Sequence, residues 1–458
     1  MKTLKNEIVV RAVKLIDAVL LTIPFGVCWY LFYANNLAEP YFRRGNWLII
    51  AMFFVLYITY GRLYDGFRIS LSRISEMFMS QVLAVLITDG IMFFITWLLT
   101  KHFPPILPMI GVFAIQIALA ALWCKLAHQW YFSSNKAQKT AVIYDMREGM
   151  DQLIADYGLE KRFRVTASAD VNSALNEGLQ ILDDIDVVFL CGVHSHERNI
   201  ILKQCVARGI QMYLIPRIGD VIMSGARRMH MFHLPMLQVG RYNPTPEYLF
   251  IKRAFDIIVS GLALIVFSPI MAVVALAIKS DGGPALYKQC RLTKDGETFN
   301  VLKFRSMRVD AEKDGVARLS TGDNDDRITP VGKFIRKCRL DELPQLINIF
   351  KGEMSIVGPR PERPEIAVQY EKELPEFGLR LQAKAGLTGY AQVYGKYNTT
   401  PYDKLQMDLM YIANPSFIED LKIMFATVKI LFESESTEGV AQGQTTATAT
   451  KDADTTAA

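Results

Sequence analysis

The sequence lacks the cysteine pattern of a disulfide-rich or zinc-binding protein. Its six cysteines include no C-x-x-C pair, and two of them, Cys28 and Cys124, lie inside long apolar runs. Neither a disulfide framework nor a structural zinc site is indicated, and a reducing cytosolic setting fits. Charge of one sign is also scarce, because 51 Lys and Arg face 46 Asp and Glu and leave a net charge of +5. That balance is compatible with anionic lipid or phosphorylated substrates but selects neither.

Signatures of common nucleotide-binding modules are missing as well. Over about residues 137–236, three short apolar strands, "TAVIYD", "VVFLCG" and "QMYLIP", alternate with helical stretches, which predicts a small parallel, Rossmann-like α/β module within residues 133–245. Its first strand runs into "YDMREGMDQ" without G-x-G-x-x-G, which favours a structural or regulatory module over a dinucleotide site. His194 and His196 have no further ligands nearby and are interpreted as solvated. No helix-turn-helix or aromatic-rich RNA motif occurs, which argues against nucleic acid as a partner.

Long apolar runs are what the sequence has in excess. Hydrophobic residues make up 51% of the chain, and the mean hydropathy is +0.18. A helix needs roughly 20 apolar residues to cross a bilayer, and several such runs in succession favour membrane spans over buried core helices. The basic start has no A-x-A-like cleavage site, so we expect the first run to be retained. The first four runs predict a four-span transmembrane region over residues 1–132. The runs cover residues 12–32, 47–60, 82–99, 106–126 and 255–278.

Basic residues predict the orientation of those spans. They cluster before the first span, between the second and third, and after the fourth, so both ends of the region are predicted to be cytoplasmic. Arg43 and Arg44, in the first outer loop, are exceptions. The three clusters are Lys2, Lys5, Arg11 and Lys14; Arg62, Arg68 and Arg73; and Lys125, Lys136 and Lys139.

The fifth run has basic residues on both sides, so a simple crossing would export one basic flank. Ser268-Pro269 lies near its middle, where proline removes a helix hydrogen bond and a serine hydroxyl can satisfy a freed backbone group. We therefore predict a re-entrant helix over about residues 251–279 that breaks at Ser268 and Pro269 and returns to the cytoplasmic face. A proline-kinked full span is the alternative.

The last third of the chain is dense in cations. Between Lys279 and Arg339 there are fourteen Lys and Arg residues, which alternate with apolar residues and precede two carboxylates. Charge runs are often solvated surfaces, but this arrangement indicates a polyanion site. A phosphorylated small molecule or lipid headgroup fits it better than nucleic acid. The candidate binding residues are Lys303, Arg305 and Arg336.

Two adjacent carboxylates, Asp341 and Glu342, follow this cluster. An apolar stripe at i, i+3, i+4 and i+7 predicts a short helix from about Leu343 that ends at Gly352. Asp341 is then expected at or near the N-cap, where free N–H groups favour a carboxylate or a phosphate. Neighbouring helical side chains point about 100° apart, so the two acids are suited to two tasks. One would attack or hold a metal, and the other would orient a group or move a proton.

Mg²⁺ typically takes one or two carboxylates plus phosphate oxygens, so Asp341 and Glu342 are predicted as catalytic residues and as its ligands. Beyond the helix, "GPRPERPE" places Arg360 between two prolines, which hold its guanidinium on a stiff loop suited to phosphate. The spacing favours a phosphoryl-transfer site over a structural ion cluster and goes no further.

Three stretches resemble one known family: "VLKFRSMRVDAE", "DDRITPVGKFIRKCRLDELPQLINIFKGEMSIVGPRPERPE" and "KAGLTGYAQVYGKYN". They are similar to the bacterial sugar transferases, the monotopic polyprenyl-phosphate phosphoglycosyl transferases, over about residues 250–431. Four spans followed by an α/β module resemble the layout of the large members. The resemblance implies transfer of sugar 1-phosphate, with glucose or galactose expected, from a UDP-sugar to undecaprenyl phosphate. UMP release, a need for Mg²⁺, a re-entrant helix and a place at the start of exopolysaccharide, capsule or O-antigen synthesis are implied too.

The resemblance also implies residue roles. Asp341 would be the nucleophile that forms a covalent phospho-sugar intermediate, and Glu342 would be its acidic partner near Mg²⁺. In "YAQVYGKYN" the family more often has Asn-Gly-Arg, so Lys396 keeps the charge there without the bidentate fork of arginine. The substrate-binding set is Lys303, Arg305, Arg336, Arg360 and Lys396.

The expected architecture is a membrane protein with a four-helix transmembrane region, a small Rossmann-like domain and an α-rich catalytic domain over residues 246–433. A disordered tail is predicted over residues 434–458. We expect it in the bacterial plasma membrane, with a cytoplasmic catalytic domain and with UDP-sugar, undecaprenyl phosphate and membrane lipid as partners. A homodimer stays open. The alternatives are a non-catalytic scaffold of a polysaccharide assembly complex that binds anionic lipid, and a Mg²⁺-dependent lipid phosphatase.

Overall fold

The computed structural model describes residues 2–41, 44–145, 147–242, 244–280, 282–308, 327–395 and 399–430. Lys396 and the predicted tail, 434–458, lie outside the described residues. The chain divides into two compact units between Ile215 and Pro216.

Four helices of the first unit are long and apolar enough to cross a membrane, which confirms the predicted four-helix region. The predicted run at 47–60, the shortest of the five, lies inside a helix of 19 residues. The first helix continues through a π-helical turn at Trp29–Tyr33. The four are α1 (Lys2–Cys28), α2 (Gly45–Leu63), α3 (Ile74–Leu99) and α4 (Leu107–Ser134).

A polar network joins all four helices inside this bundle. Asp17 of α1 accepts hydrogen bonds from the hydroxyl of Tyr57 on α2, at 3.2 Å, and from Nε2 of Gln81 on α3, at 3.0 Å. The thiol of Cys124 on α4 donates to Oε1 of Gln81 at 3.3 Å. All four residues are buried. Because hydrocarbon offers no partners to polar groups, this network fixes how the helices face one another.

The rest of the first unit contains a four-stranded parallel sheet in the order β2-β1-β3-β4, so the predicted parallel α/β architecture is confirmed. Three of its strands were predicted from apolar runs, but the edge strand β2 was not. Its side chains alternate between exposed and half-buried positions, so it contains few large apolar residues. The elements are β1 (Gln138–Tyr144), α5 (Met150–Asp156), β2 (Phe163–Asp170), α6 (Val171–Asn176), β3 (Val187–Cys191), α7 (Ser195–Arg208) and β4 (Gln211–Ile215).

Where the structure describes it, the second unit combines many short helices with three two-stranded sheets, in the pairs β5-β6, β7-β8 and β9-β10. Its core joins Val301, Ile349, Tyr370, Leu405 and Ile423. The elements are α8 (Ile218–Ser224), β5 (Arg227–Met231), β6 (Leu234–Gln238), α9 (Pro246–Lys279), β7 (Leu286–Leu292), β8 (Thr298–Phe304), α10 (Pro330–Lys337), α11 (Gln345–Lys351), β9 (Ser355–Val357), α12 (Pro364–Glu373), β10 (Gly386–Thr388), α13 (Tyr390–Tyr394), α14 (Pro401–Ala413) and α15 (Phe417–Ile430).

The first half of α9 is fastened to the second unit by two charged side chains. Arg253 donates to the carbonyls of Ile349 and Phe350, both at 2.8 Å, and so satisfies carbonyls in the last turn of α11. Asp256 accepts hydrogen bonds from the hydroxyl of Ser355, at 2.8 Å, and from the backbone N–H of Ile356, at 3.1 Å. The start of this apolar helix is thus held by polar contacts with folded protein.

The second half of α9 contains Ser268 and Pro269. The hydroxyl of Ser268 donates to the carbonyl of Ile265 at 2.8 Å, and this carbonyl, four residues before Pro269, is the one that proline leaves without a helical partner. The predicted break at Ser268 and Pro269 does not interrupt the helix, which is one continuous element on both sides of Pro269. Large apolar side chains around this point are exposed: Leu262, Ile265, Val266, Ile270, Val273 and Leu276.

Candidate active site

Asp341 and Glu342 lie in a 3₁₀ turn, Leu340–Glu342, between α10 and α11. The expectation that Asp341 caps the next helix is wrong, because α11 begins at Gln345. A cap at 341 would bond to the N–H of residue 343 or 344. The N–H of Leu343 is instead donated to the carbonyl of Leu340 at 3.3 Å, and Pro344 has none. The predicted end of the helix at Gly352 is confirmed, with φ of 91°.

Glu342 brings two predicted cations together. Nζ of Lys303, on β8, lies 3.3 Å from Oε1 of Glu342, and Nη2 of Arg360 lies 3.7 Å from the same oxygen. The side chains of Glu342 and Lys303 are 18% and 22% exposed, whereas that of Arg360 is 46% exposed. Three distant segments therefore meet at one carboxylate, and Arg360 is the member most open to a ligand.

These cations determine the charge state of Glu342. Burial alone would raise the pKa of Glu342, but Lys303, Arg360 and Arg339 outweigh burial and lower it to about 2. Glu342 is therefore ionised at neutral pH. Burial also lowers the pKa of Lys303, and the charge of Glu342 opposes that shift.

Asp341 is in the opposite situation. Burial raises the pKa of Asp341, and the charge of Glu342 raises it further, while Lys303, Arg336 and Arg339 act against the shift. Within the described part of the chain, the Asp341 carboxylate makes no hydrogen bond or ion pair. The two acids therefore differ. Cations keep Glu342 ionised, whereas Asp341 has no hydrogen bond or ion pair within the described residues and has a raised pKa.

The structure places the other predicted cations in different surroundings. Nε of Arg336, in the last turn of α10, donates to the hydroxyl of Ser306 at 2.9 Å, and the charge of Arg336 acts on Asp341. Glu342, Lys303 and Arg360 form the Glu342 cluster. Arg305 does not belong to it, because Arg305 is buried and its Nη2 donates to the carbonyl of Ile278 at 3.2 Å. Lys396 lies outside the described residues, so its role stays a prediction.

Arg339, one of the fourteen cations before the two acids, was not among the candidate binding residues, although its charge acts on both acids. Its φ of 56° turns the chain from α10 into the turn that carries Asp341 and Glu342. Its place two residues before the first acid was a usable signal. Arg380 and Arg291, which donate to the carbonyls of Arg360 and Pro361, were not candidate binding residues either, and their spacing offered no comparable signal.

The donor set of the site fits Mg²⁺. The described residues contain no group of three or more His, Cys, Asp and Glu side chains that could hold a metal by themselves. Mg²⁺ needs fewer protein ligands, because it keeps several waters and takes phosphate oxygens. One oxygen of Glu342 faces Lys303 and Arg360, so Asp341 and the other Glu342 oxygen are the groups that would hold the ion.

Residues 247–434 match the family described as "Bacterial sugar transferase", and this range contains all members of the Glu342 cluster. A UDP-N-acetylgalactosamine-undecaprenyl-phosphate N-acetylgalactosaminephosphotransferase of Aeromonas hydrophila is 38% identical over 234 residues, 50% of this chain and 54% of that protein. A UDP-glucose:undecaprenyl-phosphate glucose-1-phosphate transferase of Caulobacter vibrioides is 39% identical over 191 residues, 40% of this chain and 71% of that protein.

A third relative, an undecaprenyl-phosphate galactose phosphotransferase of Salmonella typhimurium, is 39% identical over 200 residues, 41% of each chain. The chain therefore spans about half the length of the Aeromonas and Salmonella relatives, 54% and 41%, and more of the Caulobacter one. The three names share undecaprenyl phosphate and differ in the sugar.

We expect Lys303→Met to lower the free energy of unfolding by about 1–3 kcal/mol, because the half-buried carboxylate of Glu342 loses its nearer cation. The matched control is Lys422→Met, since Lys422 is 47% exposed and pairs with Glu419 at 3.1 Å. An exposed pair contributes about 0–1 kcal/mol. Thermal unfolding of both variants in one detergent measures the difference, and equal midpoints would contradict a stabilising half-buried pair of Lys303 and Glu342.

Proposed function

The chain belongs to the bacterial sugar transferase family, and from this premise we propose that it transfers a sugar 1-phosphate from a UDP-sugar to undecaprenyl phosphate and releases UMP. The observation that carries the proposal is the difference between the two acids. Lys303 and Arg360 keep Glu342 ionised, whereas the carboxylate of Asp341 makes no hydrogen bond or ion pair among the described residues. The names of the three relatives, which share undecaprenyl phosphate, support the choice of acceptor.

In the proposed reaction, a carboxylate oxygen of Asp341 attacks the phosphorus that carries the sugar. The bond from that phosphorus to the UMP oxygen breaks, and UMP leaves with the bonding electron pair. The sugar phosphate is then bound to Asp341 as an acyl phosphate. A phosphate oxygen of undecaprenyl phosphate attacks the same phosphorus, the carboxylate of Asp341 leaves, and the product is a lipid diphosphate sugar.

The cations of the site have a positioning role in this scheme. Arg360 presents a planar fork suited to the diphosphate of the donor. The positive charges of Lys303 and Arg336 act on Asp341, which reduces the repulsion between an anionic nucleophile and an anionic substrate. Bound Mg²⁺, held by Asp341 and Glu342, would neutralise further phosphate charge.

We propose glucose or galactose as the transferred sugar. The relatives are named for N-acetylgalactosamine, glucose and galactose, so the acetamido sugar is the main competitor.

We further propose that α9 re-enters the membrane from the cytoplasmic side. Near its start, Arg253 and Asp256 contact residues 349–356, and near its end Ile278 accepts a hydrogen bond from Arg305 of the same unit. A helix that crossed the bilayer would leave these two sets of contacts on opposite sides of roughly 30 Å of hydrocarbon. Basic residues flank both ends and support one common side. The exposed apolar residues between them would face lipid.

Purified full-length protein given UDP-sugars, undecaprenyl phosphate and Mg²⁺ should release UMP. Asp341→Asn should lower turnover on the order of 10³-fold or more and abolish the covalent adduct, because an amide is a poor nucleophile. The control is Asp295→Asn, at an exposed loop acid paired with Arg241. UMP assay and intact-protein mass spectrometry read the result. Folded wild-type protein that is silent across UDP-glucose, UDP-galactose and UDP-N-acetylgalactosamine would falsify the proposal, and free sugar phosphate as product would favour a phosphatase.

The pH dependence of turnover should report the pKa of Asp341. Asp341 attacks as a carboxylate, so activity should be lost as pH falls through the pKa of Asp341, which burial and Glu342 raise and bound Mg²⁺ would lower. In Glu342→Gln the neighbouring negative charge is gone, so the acid limb of the residual activity should move to lower pH. The exposed Glu373→Gln should leave the limb in place. An unmoved limb in Glu342→Gln would show that another group titrates there.

Single cysteines at Glu247, in the first turn of α9, and at Ser280, directly after its last residue, test the re-entry, since both residues are exposed. In a background without native reactive cysteines, both should resist a membrane-impermeant thiol reagent in intact cells and react after permeabilisation. A cysteine at Glu39, in the predicted outer loop, is the positive control. Labelling at exactly one of the two flanks in intact cells would establish a crossing.

A further inference from the structure

The loop that carries Arg360 is held by its carbonyl groups. Residues 359–362 include two prolines, which have no N–H, so donors from elsewhere must fix this backbone. Four successive carbonyls each accept a hydrogen bond. The donors are the N–H of Gly386 to Pro359 at 2.9 Å, Nη2 of Arg380 to Arg360 at 2.8 Å, Nη1 of Arg291 to Pro361 at 3.1 Å, and the N–H of Leu292 to Glu362 at 2.9 Å.

Arg380 donates to the carbonyl of Arg360, the residue of this loop whose side chain lies near Glu342. Its side chain is 3% exposed, and Asp408, which is 1% exposed, accepts from its Nε at 2.8 Å and lies 2.6 Å from its Nη2. Nη1 of Arg380 lies 3.8 Å from Glu362. The guanidinium is thus enclosed by two carboxylates and one carbonyl. A buried group with these contacts cannot also bind a substrate.

The two ends of Arg360 face different partners. Its carbonyl accepts from Arg380, while Nη2 of its side chain lies 3.7 Å from Oε1 of Glu342 and the side chain is half exposed. The hydrogen bond to the Arg360 carbonyl limits rotation of the peptide unit between Arg360 and Pro361. The φ angles of Pro359 and Pro361 are fixed by their rings, which restricts the backbone on both sides of Arg360. The direction of the Arg360 side chain therefore depends on the contact made by Arg380.

We infer that Arg380, held by Asp408, is a positioning residue that aims the guanidinium of Arg360 at the diphosphate of the donor. The part about the donor depends on the function proposed above. The part about the loop does not, because it concerns contacts within the protein alone. Arg291 acts on the next carbonyl in the same way and is the second support of the loop.

The shape of arginine makes the inference testable. A lysine at 380 keeps a positive charge beside Asp408, but one ammonium cannot reproduce the fork that reaches Asp408, Glu362 and the Arg360 carbonyl together. Arg380→Lys therefore preserves the buried charge pair and removes the hold on the loop. A purely structural ion pair would tolerate this change with little effect on the donor site.

The experiment compares Arg380→Lys, Arg360→Ala and the double variant in the full-length protein. We expect Arg380→Lys to lower kcat/KM for the UDP-sugar roughly 10- to 100-fold, mainly through KM, because a small misplacement of a binding group is costly. In the Arg360→Ala background the same change should cost less than threefold, because Arg380 acts through Arg360. Full additivity of the two losses overturns the inference, as does unchanged KM in Arg380→Lys.

The control is Lys252→Arg, at a buried pair with Asp420 in which the side chains are 13% and 4% exposed. It should leave KM within about twofold of wild type and should add independently to Arg360→Ala. If Arg380→Lys does not fold, Arg291→Lys replaces it with the same two expected outcomes.

Hydrogen exchange separates this inference from the proposed reaction. Exchange at the Gly386 and Leu292 amides, which donate to the carbonyls of Pro359 and Glu362, should rise at least tenfold in Arg380→Lys and stay near wild type in Lys252→Arg. If wild-type protein releases no UMP from any UDP-sugar, the proposed function fails, and loop exchange still decides whether Arg380 holds the loop. Unchanged exchange in folded Arg380→Lys would refute the positioning role.

Discussion

The ion cluster at Glu342 is the interaction on which the site depends. A single carboxylate oxygen faces Lys303 from β8 and Arg360 from the loop after β9, so segments that are far apart in sequence converge there. A half-buried carboxylate with two cations is stable only in its charged form. Burial raises the pKa of Asp341, and the charge of Glu342 raises it further. One interaction therefore assembles the site and makes two adjacent acids chemically unequal.

A second constraint connects the site to the apolar helix α9. Arg253 holds the C-terminal carbonyls of α11, the helix that follows the two acids, and Asp256 holds the start of β9. The order α9, α11, β9 and the Arg360 loop forms one chain of polar contacts and short connections. Charged groups within an apolar helix are costly to leave unpaired. The contacts of Arg253 and Asp256 therefore fix where along α9 the site is attached.

Much of the architecture could be predicted from sequence because its signals are local. Apolar run length predicted the membrane helices, and alternation of strand and helix predicted the parallel sheet. Edge strand β2 was not predicted, because a half-buried strand contains few apolar residues. The prediction that Asp341 is a helix cap was wrong because Pro344 offers no N–H. Asp341, Glu342, Lys303 and Arg360 were singled out by spacing and resemblance. Arg380 and Asp408 could not be, because only tertiary contact distinguishes them from other charged residues.

The Asp17 network in the first unit has a consequence for biogenesis. Asp17 is synthesised in the first helix, whereas Gln81, which binds it, follows 64 residues later. Until α2 and α3 arrive, α1 carries a carboxyl group with no partner from the bundle, and lipid cannot supply one. The helix is therefore poorly suited to leave the insertion machinery alone. Release into the bilayer should be coupled to the arrival of its neighbours, which makes insertion of this bundle a cooperative event.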